Sequence, residues 1–146
     1  MKEKDLNQYY CLNIEIEQLE EQLAELHEKE IKSIKMTGMP GAGGVSDSVG
    51  KLASEIVDLS ELINLKLREC IIARKRIERY IASIEDSEMR LILRMRHIDR
   101  KSWEQIGDKL GYHLSTVAKK HKAFIINNSN ISKISNEHQH IIQDRR

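Results

Sequence analysis

Leu12, Ile16, Leu19, Leu23 and Leu26 recur at alternating spacings of four and three, with Glu, Gln and Lys filling most positions between them. That alternation puts five apolar side chains on one narrow stripe, so the spacing predicts a long helix over residues 5–35. The next stretch, MTGMPGAGGVSDSVG, residues 36–50, holds the only Pro and five of the seven glycines. Such a density of Gly around a Pro ends a helix and makes a flexible connection. Asp47 or Ser48 can then supply the side-chain oxygen that the first-turn amides of a second helix need. A second seam follows through Val49, Leu52, Ile56, Leu59, Ile63, Lys66, Cys70, Ala73, Ile77, Tyr80 and Ile84, with Lys66 its one polar interruption. Each helix would be about 50 Å long at about 1.5 Å per residue. Joined by one loop, the two are expected to fold back as an antiparallel hairpin, seam to seam.

Leu65 and Ile72 lie seven residues apart on the face opposite the second seam, and Leu62, Leu67 and Ile71 widen the apolar surface there. A two-helix hairpin leaves this back face wet. It is therefore expected to meet another subunit, Leu65 and Ile72 forming the interface of a homodimer.

The helical period restarts in IEDSEMRLILRMRHI, where Asp86 or Ser87 can cap a helix with Met89, Ile92, Leu93 and Ile98 facing inward. Ser102, with Gln105 three residues on, has the spacing of a capping box. A short helix then carries Trp103, Ile106 and Leu110 on its apolar face and stops at Gly111, where a left-handed cap fits. A last helix is expected from Leu114 to Ile126, with Val117 and Phe124 inward. The Asn- and Ser-rich remainder is expected to be disordered. The fold class is all-α. Residues 1–35 and 51–84 are read as the hairpin helices, 36–50 as their connection, 85–126 as a three-helix domain and 127–146 as a polar tail.

Composition agrees with long helices: 40% apolar and 32% charged residues, but only 4% aromatic. The net charge of +1 hides a sorted distribution. Residues 1–35 contain 5 Lys/Arg against 9 Asp/Glu, whereas residues 87–124 contain 9 against 4. A basic segment in a nearly neutral chain points to a local anionic partner.

That segment has the parts of a helix-turn-helix. Gly107 allows close crossing, Gly111 makes the turn, and Ile106, Leu110 and Val117 fill the space between the helices, with Trp103 completing the scaffold. The second helix would then offer His113, Leu114, Ser115, Thr116 and Lys119 to the major groove of double-stranded DNA, where base edges are distinguishable. Lys120, Lys122, Arg100 and Lys101 are placed to meet phosphates.

The stretch RLILRMRHIDRKSWEQIGDKLGYHLSTVAKKHKAF resembles the region-4 helix-turn-helix of bacterial sigma factors. It is more similar still to small phage proteins of the ArpU/RinA type, regulators of late transcription, whose glycine-rich connection GMPGAGGVSD also resembles. The resemblance covers residues 36–125 and implies a phage or prophage transcription regulator, an activator of late genes in the bacterial cytoplasm that contacts RNA polymerase. It assigns Trp103, Ile106, Gly107, Leu110, Gly111 and Val117 to the scaffold, and Ser115, Thr116 and Lys119 to the DNA. Lys120 departs from the pattern, standing where such proteins carry an aliphatic residue. The rival reading is a small terminase subunit, a phage DNA-packaging protein that also joins a helix-turn-helix to a helical hairpin and assembles into rings.

Other signals carry less. GVSDSVGK, residues 44–51, falls short of a phosphate-binding loop, with five residues between its glycines and Leu52 where Ser or Thr belongs. His138 and His140 in a polar tail do not make a metal site. His121, one turn beyond Val117, reads as a half-buried ring near the core or a phosphate. Cys11 and Cys70 have no metal-ligand spacing and are expected to be buried as small apolar residues. No nucleophile–base pair, leader sequence or membrane-length apolar run is legible. The chain is expected to be a cytoplasmic protein without cofactor, small-molecule substrate or catalytic site.

Overall fold

The computed structural model describes the backbone of residues 1–36 and 47–143, and side chains as far as Ser129. Five helices follow in order: α1 (Glu3–Met36), α2 (Asp47–Ala82), α3 (Ser87–His97), α4 (Trp103–Leu110) and α5 (Leu114–Gln143). No strand occurs among the described residues, and the protein is all-α. No described helix is long and apolar enough to cross a membrane. Most of the glycine-rich connection and the first part of GVSDSVGK lie outside the described residues. Asp47 to Gly50, read as connection, already belong to α2.

The chain divides into two compact units, Cys11–Ile72 and Met1–Tyr10 with Ala73–Arg146. In the first, the seam positions of α1 and α2 are the ones withdrawn from water: Leu12, Ile16, Ile63 and Cys70 are buried, and Leu19, Leu23, Leu26, Leu52, Ile56 and Leu59 half-buried. Lys66, the polar interruption, places Nζ 3.0 Å from Glu15 and 3.5 Å from Glu69. Its stem lies along the seam while its charge reaches out to carboxylates. The hydrogen bond that it donates to the Glu15 carboxylate is the largest cause of its raised pKa.

The Glu15–Lys66 contact also settles direction. Glu15 is 21 residues before the end of α1 and Lys66 is 19 after the start of α2 (36 − 15 and 66 − 47), so the two sit at matching heights from the connection. Were the helices parallel, the connection would have to span about 60 Å at about 1.5 Å per residue, more than its ten residues can reach at about 3.5 Å each. The pair is an antiparallel hairpin.

The second unit contains the side chains most completely withdrawn from solvent, Leu6, Ile77, Ile92, Leu93, Ile106 and Val117. Asp86 caps α3, its carboxylate accepting from the Glu88 amide at 2.9 Å. Met89, Ile92, Leu93 and Ile98 point inward as the period requires, joined by Met95. α4 packs chiefly on α5, and α3 touches both.

Three expectations are corrected. The first ten residues, read as the start of the hairpin, belong to the helix-turn-helix unit, where Leu6 and Tyr9 are buried. A heptad pattern gives the stripe of a helix but not the partner met at each height. Cys11 is exposed, because the stripe turns away from it towards Leu12; Cys70 is buried. The tail expected to be disordered continues α5 to Gln143. Asn and Ser weaken a helix, but no Gly or Pro between Leu114 and Gln143 breaks it. The side chains of His138 and His140 lie outside the described residues.

Candidate nucleic-acid interface

The corner between α4 and α5 is built from two local devices. Ser102 accepts the Gln105 amide at 3.2 Å and donates its own amide to Gln105 Oε1 at 3.0 Å, closing the capping box. At the other end Gly111 sits at φ 74°, in the left-handed region that other residues enter only with strain. The Tyr112 amide returns to the Gly107 carbonyl at 2.9 Å.

Gly107 is required for a different reason. A Cβ there would stand 2.5 Å from the Tyr112 carbonyl oxygen and 3.3 Å from the Leu114 amide nitrogen. The close approach is therefore to the turn's own backbone. Gly111 has open space where its Cβ would be, so its constraint is conformational alone. Ile106 and Val117, both fully buried, fill the angle between the helices, with Leu110 half-buried beside them.

His113 begins α5. Its Nδ1 lies 2.8 Å from Ser115 Oγ and accepts the Ser115 amide at 3.3 Å, an N-cap made by a ring nitrogen. The Thr116 amide donates to the His113 carbonyl at 2.9 Å. Leu114, Ser115, Lys119 and Lys122 are exposed and Thr116 is half-buried. At 100° per residue, Ser115, Lys119 and Lys122 lie on the side of α5 facing away from Val117 and His121.

Arg100 and Lys101 lie in the α3–α4 turn, where Arg100 has φ 58° and its guanidinium rests 5.2 Å from the Tyr10 ring centroid. The Lys101 amide donates to the Met95 carbonyl, and its carbonyl accepts from Arg96 Nη1, each at 2.9 Å. Lys120 is turned elsewhere. Its Nζ is 2.7 Å from Glu88 Oε1 and 4.2 Å from the Tyr112 ring centroid, and the Glu88 hydrogen bond leads the causes raising its pKa. Where an aliphatic residue would pack, Lys120 instead ties α5 to the first turn of α3, so it is withdrawn from the phosphate contacts assigned to it.

Behind the corner lies a cluster that periodicity does not reveal. His97 and His121 are both buried, with their Nε2 atoms 2.9 Å apart. Only one proton fits between them, so one ring donates and the other accepts. Burial is the first cause depressing both rings: His97 falls to about 4, with His121 and Arg96 acting against its charge and the Leu6 carbonyl favouring it. His121 is also lowered, with Glu3 opposing and Arg96 reinforcing the effect. Trp103 packs on His121 at 5.0 Å between centroids, and the Arg96 guanidinium lies 4.5 Å from the indole centroid. The Trp is half-buried, a side chain in contact with both a cation and an imidazole. A cleft of about 560 Å³ opens beside the cluster, with Glu3, Arg96, Trp103 and Lys122 on its walls. No group of three or more metal-ligating side chains occurs among the described residues.

Residues 30–128 match the model of DUF1492, described as a protein of unknown function. The chain belongs to this family. The match covers more than half of its length, including all of α2, α3 and α4 and the start of α5. No curated protein and no solved structure matches the chain. The DUF1492 match begins after the first ten residues that complete the helix-turn-helix unit here.

Proposed function

We propose that this protein is a sequence-specific, double-stranded-DNA-binding regulator of transcription, of phage or prophage origin, working in the bacterial cytoplasm. The observation that carries the reading is the α4–α5 corner: Gly107 and Gly111 form a tight turn while Ser115, Lys119 and Lys122 remain on the outer side of α5. Among the described residues, Lys119 and Lys122 enter no ion pair, unlike Lys120, so their charges remain available for an anion. A helix so presented fits a major groove, where its leading residues meet base edges and its lysines meet phosphates. Arg100 and Lys101 add positive charge at the preceding turn. The acidic α1 is the surface for RNA polymerase in this reading, and no catalytic step or cofactor is required.

Selection of bound duplexes from a random pool, followed by gel-shift titration, tests it. Lys119→Ala should cost about 1–3 kcal/mol on the selected site and relax preference at one position. Lys122→Ala should weaken binding to every duplex and lower the salt slope by about one. Unchanged binding in both variants, or no enrichment of any sequence, would refute it.

A further inference from the structure

The outward face of α2 carries a second stripe at alternating three- and four-residue spacing, separate from the hairpin seam: Asp58, Glu61, Leu65, Arg68, Ile72, Lys75 and Arg79. All seven are exposed. Leu65 and Ile72 are more than half exposed, at 54% and 59%, and exposed Leu62 and Ile71 flank the stripe. Two aliphatic side chains this open to water on a regular helical stripe call for a partner.

The order of chemistry along the stripe identifies that partner. It reads acid, acid, apolar, base, apolar, base, base, and its reversal is nearly its own complement. Laid antiparallel on a second copy, Asp58 meets Arg79 of the second copy, Glu61 meets Lys75, and Leu65 meets Ile72. The residue numbers of these pairs sum to 137, 136 and 137, so one register satisfies all of them (58 + 79, 61 + 75, 65 + 72). Arg68 falls at the axis beside its own copy, the one like-charged pair in this register. The parallel alternative stacks Asp58, Glu61, Arg68, Lys75 and Arg79 each against itself. Facing charges of one sign discriminate strongly between orientations.

We propose that this face of α2 is a self-association surface on which two copies of the chain pair antiparallel about a twofold axis at Arg68. The contact is isologous, so it closes at two copies. It uses none of the residues assigned to DNA, and it stands or falls apart from that assignment.

Light scattering coupled to size-exclusion chromatography on the full chain tests it. The wild type should run at twice the monomer mass. Leu65→Glu/Ile72→Glu should run as a monomer at the same concentration. Asp58→Arg/Glu61→Lys should also be monomeric, and so should Lys75→Glu/Arg79→Asp, because each brings like charges together at both ends. Combining all four charge changes should restore the dimer, and so should mixing the two doubly charge-reversed proteins, which requires each to be folded. Parallel pairing sets each position against itself in every homodimer, so it predicts no loss of the dimer in either doubly charge-reversed variant alone; that loss, reversed in the fourfold variant, is particular to the antiparallel register. A monomeric wild type, a closed ring, a charge-reversed double variant that stays dimeric, or failure of both rescues would overturn the proposal.

Discussion

The two units of this chain hold themselves together by different means. In Met1–Tyr10 with Ala73–Arg146, side chains from five helices converge, and Leu6, Ile77, Ile92, Leu93, Ile106 and Val117 lose essentially all contact with water. In Cys11–Ile72 each helix has one neighbour, and much of its seam is only half-buried while Val57, Leu62, Leu65, Leu67, Ile71 and Ile72 face solvent. Apolar burial scales with the surface removed from water, so the helix-turn-helix unit carries its own core and the hairpin has apolar surface to spare.

Substitutions at the corner should break this contrast most severely. Ile106→Ala should cost about 2–5 kcal/mol, the range for truncating a fully buried aliphatic side chain. Gly107→Val should be at least as damaging, because its Cβ would collide with the turn backbone instead of with a flexible side chain. Leu62→Ala on the hairpin should shift stability of the monomer by about 0.5 kcal/mol or less. Chemical denaturation followed by circular dichroism measures all three, and equal losses in the two units would erase the distinction.

Acid should act on the helix-turn-helix unit next. His97 is neutral when folded, down to about pH 4, whereas an unfolded ring takes up its proton near its ordinary value of 6.5. Between these values the unfolded state binds more protons, so stability is intact above about 6.5 and falls as pH drops towards 4. The depression corresponds to about 3 kcal/mol when fully expressed. Melting temperatures across that window should fall for the wild type and change less for His97→Gln. Identical pH profiles would show that the buried pair is not the sensor.

The smallest effects should separate the lysines. Ser102→Ala removes one cap and should cost about 1 kcal/mol. Lys120→Ala should lower the melting temperature by less than that, since its ion pair is more than a third exposed. It should leave the salt dependence of DNA binding unchanged, whereas Lys122→Ala should reduce it. A matching change in both would return Lys120 to the phosphate contacts.

What could be read directly from the sequence was local. Heptad spacing marked the seam positions of α1 and α2, Ser102 with Gln105 marked a helix start, and Gly111 its end. Each of these depends on residues within a turn or two of one another, where helix geometry alone relates number to direction. One connection between two long seams predicted an antiparallel hairpin, which the Glu15–Lys66 contact then settled, and the charge order of the outer stripe was already present in α2.

Tertiary structure decided the contacts between distant positions. His97 and His121 are 24 residues apart and Lys120 and Glu88 are 32 apart, and no period links either pair. The recruitment of Leu6 and Tyr9 to the helix-turn-helix unit is of the same kind. An amphipathic stripe requires that something cover it, but many apolar surfaces satisfy that demand about equally. Which one does, and which polar groups become paired when water leaves, is chosen only once the helices have packed.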